Sequence, residues 1–255
     1  MTPHRVLIIP AAGRGSRLGV ATPKVLYPVN GVAMLDHLLA LYARVVDRIV
    51  VVVGPAAEQA VRDHVAPRAT GRQPADVDVD VQATPTGMLD AILVPHPRIV
   101  RLQPTRVWIS WGDQVAVHPR TVERLAEEDG RDAALVFPTA TVDDPYIHLA
   151  RADDGRITRI LQRREGDPMP ARGESDMGLF SLRGDAYVER LTEFARGTAE
   201  ASGTGERNFL PFISWLSARA PVATFPCTET IEARGVNTPD DLRLVEEHLR
   251  RRGDR

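Results

Sequence analysis

The chain has 255 residues, 43% of them hydrophobic, enough to bury the core of one large domain. The 32 Lys and Arg residues against 34 Asp and Glu leave a formal net charge of −2, so no global positive field attracts nucleic acid or an anionic membrane, and any phosphate binding must be local. A lone cysteine, Cys227, excludes an internal disulfide framework, fits a reducing compartment and is not expected to serve as a catalytic thiol. The apolar run in MTPHRVLIIP is too short for a signal peptide, and no stretch of about 18 apolar residues occurs, so a soluble cytoplasmic protein with no membrane partner is expected.

In chain order, RVLIIP (5–10), RIVVVV (48–53), VDVDVQ (77–82), RVWISW (106–111) and AALVFP (133–138) read as strands, the first, second and fifth apolar enough for burial on both faces. Between them, 33–46, 55–65, 86–94 and 119–128 carry apolar residues at three- and four-residue spacing and read as crossover helices. Strand followed by helix, repeated, predicts a mostly parallel sheet covered on both sides. Beyond 138, YIHLAR, GRITRILQRR and DMGLFSLR alternate like strands of a mixed or antiparallel extension, expected to form a lid over the parallel half. Residues 196–208 read as a small, polar loop, and DDLRLVEEHLRRR closes the chain as an amphipathic helix. Trp108 and Trp111, three apart on one strand, should face opposite sides, and His118, ahead of Pro119, reads as a helix-start residue rather than a metal ligand.

In open parallel sheets, ligands bind beyond the carboxyl ends of the strands. AAGRGSR leaves the first strand at such a place. Gly13 and Gly15 allow backbone amides to turn inward on phosphate oxygens, and Arg14, Arg17 and Lys24 add full charges. An ordinary glycine-rich turn with solvated arginines is the alternative. A Walker A loop is excluded because no Gly-Lys-Ser/Thr follows, and the dinucleotide fingerprint fails because its third glycine would fall on Leu18.

AAGRGSRLGVATPKVL resembles the signature of the sugar-1-phosphate nucleotidyltransferases, a Gly-x-Gly-x-Arg loop continuing to a Pro-Lys pair, here Gly13, Gly15, Arg17, Pro23 and Lys24. VQATPTGMLDAI (81–92) resembles that family's base-reading segment, WGDQV (111–115) its strand-end Gly-Asp pair, GESDMGLFSL (173–182) its sugar-binding strand and RGVNTPDDL (234–242) its closing segment. The resemblance implies a Rossmann-like three-layer α/β fold, GT-A-like, in one domain: a nucleotide-binding half (1–138), a sugar-binding half (139–236) and a closing helix (237–255). It also implies roles for individual residues. Ala11, Ala12, Gly13, Arg14, Gly15, Gln82 and Gly87 would bind the nucleotide, Arg17 and Lys24 would be catalytic, and Asp113 and Asn237 would hold Mg²⁺.

The reaction so implied joins a nucleoside triphosphate to a sugar 1-phosphate and releases pyrophosphate. It needs positioning and cations rather than a dedicated nucleophile. Arg17 suits departing pyrophosphate, while Lys24 is a compact charge able to bridge two phosphates. Gln82 both donates and accepts, as a uracil or thymine edge requires, so UDP- or dTDP-sugar is the expected product. The sugar half departs from the UDP-N-acetylglucosamine pyrophosphorylases: Tyr146 is followed by Ile147 rather than glycine, a strand-end glutamate becomes Gln162, a sugar-contacting asparagine becomes Asp176, and an aspartate becomes Pro211. Tyr146, Gln162, Glu174 and Asp176 are therefore candidates for contacting an unusual sugar or cyclitol phosphate. Two alternatives stand beside this reading: a cytidylyl- or guanylyltransferase for a cyclitol, heptose or choline phosphate, and a catalytically silent nucleotide-sugar-binding protein. Asp113 capping a turn and Asn237 capping the following helix are the alternatives to the metal site. Self-association is compatible with the sequence.

Overall fold

The computed structural model describes residues 4–13, 22–66, 76–200 and 204–253. In chain order, β1 (Arg5–Ala11) precedes a small hairpin of β2 (Pro28–Val29) and β3 (Val32–Ala33), then α1 (Met34–Tyr42), β4 (Arg48–Val53), α2 (Glu58–Val65), β5 (Asp76–Val81), α3 (Met88–Leu93), α4 (His96–Leu102), β6 (Arg106–Ser110), α5 (Pro119–Glu128) and β7 (Leu135–Asp143). The second half adds a hairpin of β8 (Ile147–Arg151) and β9 (Ile157–Gln162), then β10 (Arg172–Asp176), β11 (Leu179–Arg183), α6 (Thr192–Gly197), α7 (Pro211–Ser217), β12 (Val222–Pro226) and α8 (Pro239–Arg252).

Alternate residues of a strand point to opposite faces, and in β1 both faces are buried: Leu7 and Ile9 enter one core, Val6 and Ile8 the other. β4 divides the same way, Ile49, Val51 and Val53 against Val50 and Val52. α1 covers the first core with Leu35, Leu38 and Tyr42, at the spacing of one helix face. Truncating a fully buried leucine there, such as Leu38, should cost about 2–5 kcal/mol. Trp108 lies in the first core, edge-on to Tyr42, while Trp111 packs against Phe180 and Phe209 on the other side, so the two tryptophans do face opposite ways. β6 is also buried on both faces, beyond the three strands expected.

The main sheet runs in the order β10, β7, β11, β6, β1, β4, β5, with β12 pairing β7. β5, β4, β1 and β6 are mutually parallel, whereas β11 is antiparallel to β6 and β7, and β10 is antiparallel to β7. This is the α/β architecture the resemblance implies, with its antiparallel extension. The expected lid is corrected: among the described strands of the second half, only β8 and β9 form a sheet of their own. Leu179–Leu182 is buried on both faces, so that strand belongs inside the sheet rather than on top of it, beside Leu135–Ala140, buried on both faces as AALVFP predicts. DMGLFSLR is not one strand either, because it breaks at Gly178, whose φ is +70°. At the amino ends of β1 and β6, buried Asp129 accepts hydrogen bonds from Arg5 Nε at 2.6 Å and Trp108 Nε1 at 3.1 Å and from the Ser181 hydroxyl, fastening three strands at the edge away from the loops discussed next.

Candidate active site

Lys24 opens a single 3₁₀ turn, Lys24–Leu26, held by Leu26 N–H donating to Pro23 O at 2.8 Å and anchored by buried Val25. Beyond β6 the chain turns through Trp111 and Gly112, where a Cβ would stand 3.4 Å from that of Ala11, so the carboxyl ends of β1 and β6 lie side by side. Asp113 follows, and its carbonyl accepts from Val236 N–H at 3.0 Å, bringing in a segment more than a hundred residues downstream. Asn237 then precedes α8. Thr238 is the N-cap of that helix and forms a capping box with Asp241, which also accepts from Asn237 N–H at 3.3 Å. The capping role is therefore filled by Thr238, leaving the Asn237 side chain for other work. Its Nδ2 donates to Gly235 O at 3.3 Å, which aims Oδ1 the other way.

The three side chains meet. Lys24 Nζ lies 2.5 Å from Asp113 Oδ2 and donates to Asn237 Oδ1 at 2.8 Å. They sit in a cleft of about 570 Å³ at the carboxyl edge of the sheet, walled by Pro10, Ala11, Ala12 and Gly13 on one side, Pro85, Met88 and Trp111 above the sheet, and Arg164 and Glu206 from the second half. Ala11, Ala12, Gly13, Lys24, Asp113 and Asn237 all line this cleft, although Asn237, expected at a strand end, instead follows a 3₁₀ turn, Thr230–Ala233, in an irregular segment ahead of α8. Arg14, Gly15 and Arg17 lie outside the described residues.

The base-reading candidates flank the cleft rather than wall it. Buried Gln82 directly follows β5 and donates from Nε2 to Gly87 O at 3.1 Å, which leaves its second N–H and Oε1 for a ligand. Gly87 has φ +122°, and a Cβ there would lie 2.5 Å from the Arg207 backbone N and O. Thr86 O and Leu89 N–H both hydrogen-bond that same residue, so the glycine is required by close backbone approach whether or not a base is present.

None of the four sugar candidates walls the described cleft. Tyr146 is half exposed, with its carbonyl accepting from Arg163 N–H. Gln162 is buried at the end of β9, with Oε1 accepting from Asn208 Nδ2. Glu174 is gripped by Arg151 through two bonds of 2.7 Å; burial pushes its carboxyl up, but the Arg151 and Thr139 hydrogen bonds outweigh that and hold it below the usual range. Asp176 is buried; Oδ1 accepts from Gly178 N–H at 2.8 Å, Oδ2 has no hydrogen-bond partner among the described residues, and burial raises the carboxyl to about 6.

Arg164 and Glu206 were not singled out by sequence. Arg164 Nη2 stands 3.4 Å from Glu206 Oε2, so a second ion pair faces the cleft from the other half. The available signal was position: Arg164 follows the end of β9 by two residues. His118 is the N-cap of α5, its Nδ1 accepting from Arg120 N–H, as a helix-start residue should. Burial raises the Cys227 thiol to about 11, which leaves it a poor nucleophile, as expected. Among the described residues no group of three or more His, Cys, Asp or Glu is placed to hold a metal, and no helix is long and apolar enough to cross a membrane.

Among solved structures, one from Bacillus anthracis assigned as a glucose-1-phosphate thymidylyltransferase superposes with a TM-score of 0.73 over 95% of this chain and 94% of its own, at 17% identity, a likeness of fold. Among curated proteins, the bifunctional protein GlmU of Stutzerimonas stutzeri is 31% identical over 254 residues, covering 98% of this chain and 53% of the relative. GlmU of Burkholderia multivorans is 38% identical over 168 residues, 64% of this chain and 34% of the relative. The chain thus spans about half the length, or less, of these relatives. Residues 7–175 match the MobA-like NTP transferase domain, and with the strand-end cleft in place, the chain belongs to that family.

Proposed function

We propose that the chain is a sugar-1-phosphate nucleotidyltransferase, joining a nucleoside triphosphate to a sugar 1-phosphate to give a nucleoside diphosphate sugar and pyrophosphate. The observation that carries the reading is the meeting of Lys24, Asp113 and Asn237 at the cleft, on the carboxyl edge of a parallel sheet. Family membership and the names of the GlmU relatives and the thymidylyltransferase neighbour support it.

A phosphate oxygen of the sugar 1-phosphate attacks the α-phosphorus in line; the new P–O bond forms as the bond to the bridging oxygen breaks, and pyrophosphate leaves with the electron pair. No side chain need become covalently attached. Lys24 offsets charge between the α-phosphate and the incoming phosphate, and Arg17, on the glycine loop, takes the departing pyrophosphate. Arg164 supplies a third cation from the sugar side. Gly13 offers backbone amide to the phosphates, while Gln82 reads the base.

Asp113 and Asn237 fit a hard divalent cation such as Mg²⁺. Both present oxygen, and both oxygens already converge on one cationic nitrogen. With one carboxylate and one amide, the rest of the shell must come from phosphates and water. When bound, the ion would neutralise charge developing on pyrophosphate.

The test is pyrophosphate release with each of the four ribonucleoside triphosphates and dTTP against a range of sugar 1-phosphates. UTP or dTTP should be used at least about tenfold better than GTP or ATP, since a mismatched purine leaves polar groups at Gln82 unpaired. A clear GTP preference removes Gln82 from base reading, and a lack of sugar-phosphate-dependent pyrophosphate release with every pair removes the activity.

A further inference from the structure

Lys24 does two things that cannot both happen in a loaded site. Its Nζ sits 2.5 Å from Asp113 Oδ2 and 2.8 Å from Asn237 Oδ1, the two oxygens read above as metal donors. A Mg²⁺ ion bonds oxygen at about 2.1 Å. The back of the pair is closed by Gly235, where even a Cβ would lie 2.9 Å from Asp113 Oδ1 and 3.2 Å from Asn237 Nδ2. A cation reaching Asp113 Oδ2 and Asn237 Oδ1 together from the cleft enters the space the ammonium fills. Asp113 and Lys24 are each less than one-fifth exposed, so the carboxylate is poorly compensated by water if the lysine leaves with nothing to replace it.

We propose that Lys24 is a resident counter-ion that holds Asp113 and Asn237 in metal-binding geometry in the nucleotide-free protein, and that a divalent cation and the Lys24 ammonium exclude one another at these oxygens. Nucleotide resolves the competition. Its phosphates draw Lys24 off the carboxylate, and the same phosphates complete the shell of the ion that replaces it. Metal and triphosphate consequently enter together, and the bare protein is protected from loading with metal alone. The inference rests on the reading of Asp113 and Asn237 as metal ligands.

Mn²⁺ is the probe, followed by the electron paramagnetic resonance signal of the free aqua ion, on the full chain without nucleotide. Lys24→Met and Lys24→Gln, two neutral replacements checked for folding by circular dichroism, should each bind Mn²⁺ at least about tenfold more tightly than the parent, and Asp113→Asn in either background should abolish the gain. Neutral variants that bind Mn²⁺ no more tightly than the parent overturn the exclusion. Repeating the titration with nucleoside triphosphate separates the two failures. If Asp113→Asn then weakens Mn²⁺ binding, the ligand assignment survives and only the exclusion falls. If Asp113→Asn binds as the parent does, the metal assignment is wrong and both fall.

Discussion

Gly235 leaves no room for a side chain against Asp113: a Cβ there would stand 2.9 Å from the aspartate Oδ1 and 3.0 Å from its Cγ. The glycine is thus a spacer behind the two side chains that meet Lys24, and its substitution should act on chemistry more than on folding. Gly235→Ala is expected to keep its cooperative thermal transition while losing about 10- to 100-fold in kcat, the usual cost of displacing catalytic groups by up to an ångström. Steady-state kinetics beside a melting curve checks this.

Asp176 should make stability fall as pH rises. Its folded value of about 6 lies above the unfolded carboxyl value of about 4, so the folded state binds the extra proton between them. Stability from this group is complete below pH about 4 and is lost as pH climbs through about 6, on the order of 1–3 kcal/mol in all. Asp176→Asn removes the titration. The unfolding free energy of the parent minus that of the variant should decline across this window and flatten above it; a difference independent of pH would show that the carboxyl is not buried as described.

Gly87→Ala should destabilise the protein by at least about 1–3 kcal/mol. An L residue at φ +122° is strained, and its Cβ meets the backbone of Arg207 rather than a yielding side chain. Urea denaturation at constant m-value measures the loss.

Arg164→Ala is expected to raise KM for the sugar 1-phosphate about tenfold while changing kcat and the nucleotide KM much less, since the residue reaches the cleft from the second half. Equal changes in both KM values would place Arg164 on the nucleotide instead.

How much of this was legible depended on burial. β1 and β4 were plain because strands buried on both faces must be continuous apolar runs, and RVLIIP and RIVVVV are that. β12 was missed because Val222, Ala223 and Thr224 are only half-buried and carry little contrast, and β2 and β3 were missed because two residues have no periodicity. The expected lid fails because alternation in the second half hides the double-sided burial of LFSL, which puts that strand inside the sheet. At the site, Lys24, Asp113 and Asn237 are legible through the resemblance of the segments that carry them, PKVL, WGDQV and RGVNTPDDL. Arg164 and Glu206 are not, because a charged residue after a strand or in a polar loop reads as solvated surface until the fold turns it inward. Nor could spacing reveal that the Glu174 carboxylate is already taken by Arg151.

If Lys24 belongs to the reacting centre, single-turnover pyrophosphate release shows it most directly, measured on Lys24→Ala at saturating triphosphate, Mg²⁺ and the sugar 1-phosphate the substrate survey selects. The rate should fall at least about a hundredfold, with triphosphate affinity changed far less. A rate within a few-fold of the parent in a correctly folded variant would contradict it.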